Sequence, residues 1–355
     1  MSFSPLSSES GSPFTAPLVQ HLRRHPKRIV FPDGLDVRVL RAAAEMVRLE
    51  CVAPILLGQR AAIHALAQQE GIKLDFIGVI EPEHSADFPL FCERYRKISR
   101  YRKVKVTDPG EVMAKPAYYA AMMLQYGYAD GLVGGNLTPA PAFFRAVFHM
   151  LKKLQGCDTV GSCTPVILPN APHLGVNGIL FLSDCAVIPS PTVPQMAMLA
   201  VEAARAAQLL TGEKPRVALL SYSTRGSVRD AATQRVAAAA GMARELAHRE
   251  FMKVEIDGEL ELDAALDPAV AAFKVPQSPL GGCANVLVFP GLTSASAAAK
   301  LLEITAGAQS AGHLVLGLAR PVARVTQTSS EATLLRAALA TAVRSTAYRA
   351  LIERE

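Results

Sequence analysis

Residues 215–227 read Pro215-Arg216-Val217-Ala218-Leu219-Leu220-Ser221-Tyr222-Ser223-Thr224-Arg225-Gly226-Ser227. The apolar run at 217–220 has the character of a strand buried on both faces, as in a parallel sheet. Hydroxyls, a guanidinium and a glycine follow it, and residues 228–250 have the composition of a long helix. Strand, polar turn and helix in that order argue for an α/β fold. In such sheets ligands lie beyond the carboxyl ends of the strands. Hydroxyls, backbone N–H groups and a helix N-terminus at that place suit an anion such as phosphate. Ser221, Ser223, Thr224, Arg225, Gly226 and Ser227 are therefore candidate anion ligands. A polar turn with no ligand is the plain alternative, since the loop matches neither the P-loop nor the dinucleotide fingerprint.

The same alternation extends in both directions. Residues 28–32 read as a strand that ends in a turn at Asp33-Gly34, with Asp36 placed to cap a helix. Val37, Leu40, Ala44 and Val47 share one face of that helix. Strands at 54–58 and 76–80, with a helix at 60–70 between them, complete a βαβαβ pattern. A helix at 111–126 leads into a strand at 129–133 and the turn Gly134-Gly135. Pro139 suits the first turn of the helix that carries Arg145. Further strands are expected at 158–168, 178–188, 252–256, 284–289 and 313–318, with helices at 192–210, 294–306 and from 331 to the end.

The 355 residues are too many for one ordinary core, so two domains are expected, with a change near residue 155. Half the residues are hydrophobic and 19% are charged, the balance of a soluble globular protein. The chain has no Trp and only 6% aromatic residues, which argues against an aromatic-lined carbohydrate or single-strand nucleic-acid groove. The formal charge of +6 is concentrated at 94–105, RYRKISRYRKVK, where seven of twelve residues are basic. Such a cluster suits a polyanion or a phosphate-rich cofactor such as coenzyme A, and equally a solvated surface helix. The six cysteines form no CxxC pair, so reduced thiols are expected. No HExxH, GxSxG, Walker or GxGxxG motif is present, and the scattered histidines suggest no metal site. Asp184, at a strand end before Pro189 and Pro191, reads as a site residue or as a turn cap. The Ser- and Pro-rich start, residues 1–18, reads as a disordered tail, not a signal peptide, and no apolar run reaches membrane-spanning length.

Six ordered blocks resemble the phosphate acetyl- and butyryltransferases, and the resemblance runs from about residue 28 to residue 344. Asp130-Gly131-Leu132-Val133-Gly134-Gly135 resembles the family's Asp-Gly-Leu-Val-Ser-Gly strand, with Arg145 at the position of an Arg on the following helix. The segment from Asp184-Cys185-Ala186 to Pro191-Thr192 resembles Asp-Cys-Ala-x-Asn-Pro-x-Pro-Thr. Ser221-Tyr222-Ser223-Thr224 is the family's own Ser-Tyr-Ser-Thr. Asp257-Gly258-Glu259-Leu260-Glu261-Leu262-Asp263-Ala264-Ala265 resembles Asp-Gly-x-Leu-x-x-Asp-Ala-Ala. Asn285-Val286-Leu287-Val288-Phe289-Pro290 and Gly317-Leu318-Ala319-Arg320-Pro321-Val322 complete the series.

The resemblance implies two α/β domains with parallel or mixed sheets, flanking helices and an interdomain cleft, like the isocitrate and isopropylmalate dehydrogenases. The expected division is 19–155 plus 315–355 for a discontinuous first domain and 156–314 for the second. It implies transfer of an acetyl or other short acyl group between coenzyme A and inorganic phosphate by a cytoplasmic homodimer. Coenzyme A is then a substrate, with no permanently bound cofactor, no metal, no nucleic acid and no membrane partner. Dehydrogenase chemistry is not implied, because the aspartate cluster that holds its metal is missing.

Ile188 replaces the family's Asn after Asp-Cys-Ala, Arg225 replaces the first Gly after Ser-Tyr-Ser-Thr, and Gly291-Leu292-Thr293 replaces Asp-Leu-Asn; the remaining departures fall in the last block. The family's Asn-Asp-Leu-Ser-Arg-Gly is Ala323-Arg324-Val325-Thr326-Gln327-Thr328 here. The Ser-Arg pair that meets the acyl phosphate thus becomes Thr326-Gln327, and the Asp proposed as base for the thiol falls on Thr333. By resemblance Thr326 and Arg145 are the catalytic candidates, and Arg324 and Gln327 join the 221–227 loop as substrate ligands. Arg100, Arg102 and Lys103, beside the position of an upstream family Arg, are candidates for the phosphates of coenzyme A. Losing a preorganised cation costs on the order of 10²-fold or more in turnover unless Arg324 or Arg225 replaces it. The alternative is a catalytically impaired member acting as a ligand-binding or partner subunit.

Overall fold

A computed structural model describes residues 11–105 and 108–352. The chain divides into two compact units, 1–154 with 318–355, and 155–317.

The first unit begins with helix α1, Thr15–Arg24, whose Leu18, Val19 and Leu22 are buried together with Phe14 just before it. Residues 1–10 of the expected tail lie outside the described residues, and from Thr15 onward the tail is instead a packed helix. Strand β1, Lys27–Phe31, leads to helix α2, Val37–Arg48, capped by the Asp36 carboxylate on the Arg38 amide. Strand β2 (Val52–Leu57), helix α3 (Arg60–Gln69) and the short strand β3 (Gly78–Ile80) follow. Helix α4, Phe88–Tyr101, carries most of the basic cluster. The single helix expected at 111–126 is two, α5 (Pro109–Met113) and α6 (Pro116–Gln125). Pro116 disfavours helical torsion at Lys115 and so separates them. Strand β4, Gly131–Gly134, precedes helix α7, Ala140–Met150, with Pro139 at its N-cap.

The second unit opens with two antiparallel strands, β5 (Gly161–Ile167) and β6 (Ile179–Ser183), both buried along their whole length. Helix α8 (Val193–Thr211) and strand β7 (Arg216–Leu220) come next. Helix α9 (Ala231–Arg249) then returns to strand β8, Glu255–Leu260. Two short helices, α10 (Leu262–Leu266) and α11 (Pro268–Lys274), lead to strand β9, Val286–Val288. Helix α12 (Leu292–Ala306), the two-residue strand β10 (Gln309–Ser310) and strand β11 (His313–Leu316) close the unit. Its strand order is β11-β5-β6-β9-β7-β8. The β6, β9, β7 and β8 pairs are parallel and those of β5 are antiparallel.

The chain re-enters the first unit through strand β12, Val322–Arg324, and ends in helix α13, Glu331–Ile352. The first unit's sheet is therefore β3-β2-β1-β4-β12, parallel throughout. Helix α13 is buried on nearly every side, from Leu334 and Leu335 to Ala342 and Val343. Gly131 makes its close approach possible, since a Cβ there would lie 2.6 Å from the Thr341 methyl and 2.7 Å from Ile29. β1, β4 and β12 run in parallel, so their carboxyl ends open at the same edge.

Candidate active site

Three loops leave that edge of the first unit. After β1 the chain places Asp33 and Asp36, which are only 5% and 6% exposed. After β4 it places Gly135, Asn136 and Thr138, and after β12 it places Thr326 to Ser329. Asp33 ties the first two loops together, accepting the Gly135 N–H at 2.8 Å and the Thr138 hydroxyl at 2.7 Å. Asp36 accepts from Asn136 Nδ2 at 2.8 Å and from Arg38 Nε and Nη2 at 3.0 and 2.5 Å. Burial works against its charge, but the hydrogen bonds from Arg38 and Asn136 prevail and hold the carboxyl below the ordinary carboxylate range. The remaining Arg38 nitrogen, Nη1, donates to the carbonyls of Gln327 at 2.7 Å and Ser329 at 2.8 Å.

The turn that Arg38 grips is closed by its own hydroxyls. Thr326 N–H donates to Ser329 Oγ at 2.9 Å, and Ser329 N–H returns to the Thr326 carbonyl at 3.0 Å. Thr326 Oγ1 lies 3.0 Å from Ser329 Oγ and 3.2 Å from Thr328 Oγ1. Gln327 is exposed. Thr333, at the start of α13, is turned to Ser330, with their hydroxyls 3.1 Å apart.

Arg324 ends β12 beside Gly134. Gly135, at φ +107°, presses its backbone against the Arg324 stem; a Cβ there would lie 3.0 Å from Arg324 Cγ and 2.7 Å from the Val325 carbonyl. The guanidinium sits 5.9 Å from the Phe144 ring centre, within cation–π range. Its Nε is buried without a hydrogen-bond partner, and no carboxylate pairs with it among the described residues. Burial alone lowers its pKa. A desolvated cation without a counter-charge is costly to fold, and such groups gather where a ligand supplies the missing charge. Asn136 adds a second open group, since its Oδ1 is buried without a partner while its Nδ2 is held by Asp36. Arg145, on α7, is exposed, and its guanidinium makes no hydrogen bond or ion pair with the described residues.

Of the three basic candidates, Arg102 is occupied by the protein. It follows α4 directly and donates to the carbonyls of Phe148 and, at 2.6 Å, Leu151, which caps the end of α7. Arg100 and Lys103 are exposed, Lys103 in the left-handed region at φ +54°.

In the second unit, loop 221–227 does cradle an anion, and the anion is a side chain of the protein. Glu259, 4% exposed, places Oε1 2.6 Å from the Gly226 N–H and 3.2 Å from the Ser223 hydroxyl. Most of the neighbouring amides are also engaged. Arg225 N–H donates to the Glu259 carbonyl, Thr224 N–H to Ser227 Oγ, Ser227 N–H to the Thr224 carbonyl, and Val228 N–H to Ser223 Oγ. Ser221 N–H pairs with the Leu260 carbonyl. Thr224 Oγ1 donates to Glu261 at 3.1 Å. Arg225, itself at φ +50°, pairs with Asp257 at 2.7 Å. The first turn of α9 is closed by an Asp230 capping box. Asp184 is likewise a turn cap, accepting from the amides of Ala186, Val187 and Ile188 and from Ser162; burial, acting against these bonds, still raises its pKa.

Sequence reasoning named Arg324, Thr326 and Arg145 as candidates and assigned no site role to Asp33, Arg38, Asn136 or Glu259. Asp36 was legible as a helix cap, and the Asp33-Gly34-x-Asp36-x-Arg38 spacing after a strand was the available signal. Among the described residues no three His, Cys, Asp or Glu side chains gather in a metal-binding arrangement.

A family model described as phosphate acetyl/butaryl transferase matches residues 13–342. The phosphate acetyltransferase of Treponema pallidum is 36% identical over 321 residues, covering 90% of this chain and 95% of its own. That of Thermoanaerobacterium thermosaccharolyticum is 34% identical over 305 residues, covering 86% of this chain and 91% of its own. The crystal structure of a phosphotransacetylase from Streptococcus pyogenes matches at a TM-score of 0.85 and 28% identity, covering 97% of this chain and 100% of that one. Sequence and architecture agree over nearly the whole length, and the chain belongs to the phosphate acetyl/butaryl transferase family.

Proposed function

We propose that this protein is a phosphate acetyltransferase, which moves an acetyl or other short acyl group between coenzyme A and inorganic phosphate. The relatives it matches carry that name. In the direction of acetyl phosphate synthesis, a phosphate oxygen attacks the thioester carbonyl. A C–O bond forms and the C–S bond breaks. The sulfur leaves as thiolate and takes up the proton that phosphate gives up. The reaction balances with coenzyme A as a substrate and no resident cofactor. What the protein must supply is positioning and a cation for the charge that develops.

One observation carries the assignment of roles: the partly buried guanidinium of Arg324 at the strand ends of the first unit, whose Nε is buried without a partner and which no carboxylate pairs among the described residues. Arg324 supplies the cation that Gln327 does not. Thr326 offers its hydroxyl to the acyl phosphate, and Arg145, exposed on α7, is a second cation candidate. Arg100 and Lys103 remain the candidates for the phosphates of coenzyme A. In the 221–227 loop Glu259 already occupies the Gly226 amide and the Ser223 hydroxyl, so its ligand role is secondary. A second copy of this chain as partner and the cytoplasm as compartment complete the proposal; no helix among the described residues is long and apolar enough to cross a membrane. The test is phosphate-dependent release of free thiol from acetyl-coenzyme A by the purified chain. Release above the uncatalysed rate supports the assignment. No release, with coenzyme A still bound in calorimetry, favours the impaired relative.

A further inference from the structure

Arg38 touches no side chain to which a substrate role is given above, yet through backbone carbonyls it holds the turn that carries Thr326 and Gln327. Its side chain is 27% exposed and that of its partner Asp36 only 5%. Two nitrogens fork onto Asp36, at 3.0 and 2.5 Å, and the third bridges the Gln327 and Ser329 carbonyls at 2.7 and 2.8 Å. Asp36 is fixed in turn by Asn136 at 2.8 Å. One guanidinium therefore joins the loop after β1, the loop after β4 and the turn after β12. Lys could not reproduce this arrangement, since it has one nitrogen and no planar fork. One turn along the helix, Arg41 reaches Glu331 at 2.9 Å through a side chain that is 45% exposed, a contact screened by solvent.

We infer that Arg38 is the positioning residue of this site, setting the Thr326 turn through its two carbonyls; the inference rests on the acyl-transfer reading given above. Among the described residues Thr326 Oγ1 has only the hydroxyls of Thr328 and Ser329, in its own turn, as side-chain partners, so its direction is set by the backbone of the turn. That backbone is fixed from outside by Arg38. A misplacement of about 1 Å at such a group is enough to cost roughly 10²-fold in turnover.

The experiment is a double-mutant cycle with Arg38→Gln and Thr326→Ala on the full chain, read as kcat/KM for acetyl-coenzyme A and phosphate, together with amide hydrogen exchange at Thr326 and Ser329. Expected are a loss of about 10²-fold for Arg38→Gln alone, a loss of less than about 3-fold when Thr326 is already Ala, and partial recovery in Arg38→Lys. The Thr326 and Ser329 amides lose protection in Arg38→Gln. Equal losses in both backgrounds, or unchanged amide protection, overturn the inference. If Arg38→Gln does not fold, the cycle is run with Arg38→Lys: a smaller loss is expected, confined to the background that keeps Thr326, with reduced Thr326 and Ser329 amide protection, and equal losses in both backgrounds or unchanged protection overturn the inference. If the native chain shows no turnover, the acyl-transfer reading fails by itself, and amide protection still decides whether Arg38 holds the turn.

Discussion

Arg225 Nη2 lies 2.7 Å from the Asp257 carboxylate, so the guanidinium that stands in the family's glycine position faces a buried acid of its own unit. Asp257 is 1% exposed and has further partners in Ser278 Oγ at 2.6 Å and the Gly258 N–H at 2.9 Å. Arg225 is half-exposed, which limits what the pair contributes. Arg225→Ala should therefore leave the KM for phosphate within about 2-fold while costing about 1 kcal/mol in chemical denaturation. Glu259→Ala should cost more, about 1–3 kcal/mol, because it leaves the Gly226 amide and the Ser223 hydroxyl without their acceptor. A rise in phosphate KM of tenfold or more in Arg225→Ala would return that residue to the substrate site.

His149, on α7, gives a pH dependence of stability with a definite sign. Its Nε2 lies 3.1 Å from the fully buried Ser99 hydroxyl, with the rings of Tyr95 and Tyr118 beside it. Burial first, and the neighbouring Arg102 second, lower its pKa below 6.5. The unfolded chain therefore binds a proton before the folded chain does as pH falls through about 6.5. Stability from this site is full above that pH and is lost progressively below it. Melting midpoints measured between pH 5 and about 8 should rise with pH, and the slope around 6.5 should shrink in His149→Gln. An unchanged slope in that variant would remove His149 as its source.

Thiol reactivity should be confined to one place. Cys283 is exposed, whereas the other five cysteines are buried. Burial pushes the thiols of Cys51 and Cys185 up to about 12. The thiolate is the reactive form, so these two stay inert at neutral pH. A disulfide reagent on the native chain should consume one thiol rapidly, and Cys283→Ser should abolish that phase. The variant also removes the protein's own background from any thiol-release assay.

Much of this was legible in the sequence, and the misses have physical causes. The strand, turn and helix order around 215–250 and the Asp36 cap both follow from local rules, and both are present. The Lys115-Pro116 break was equally local and was overlooked because the apolar spacing runs on through it. Phe14, Leu18 and Leu22 recur at helical spacing, but the surrounding Ser and Pro made residues 1–18 read as a tail. Arg38 could not be placed from spacing, since its partners Gln327 and Ser329 lie 289 and 291 residues away. The hydroxyls and glycine of loop 221–227 were legible as an anion cradle, yet not the anion, because Glu259 arrives from the next strand over.

The central claim is that Arg324 provides the cation for acyl transfer, and the most direct measurement is phosphate-dependent coenzyme A release by the native chain beside Arg324→Gln. The account predicts release by the native chain and a loss of roughly 10²-fold in kcat/KM in the variant. The melting midpoint should be unchanged or raised, because a desolvated, unpaired charge has been removed. Native activity with an unimpaired Arg324→Gln variant would contradict it.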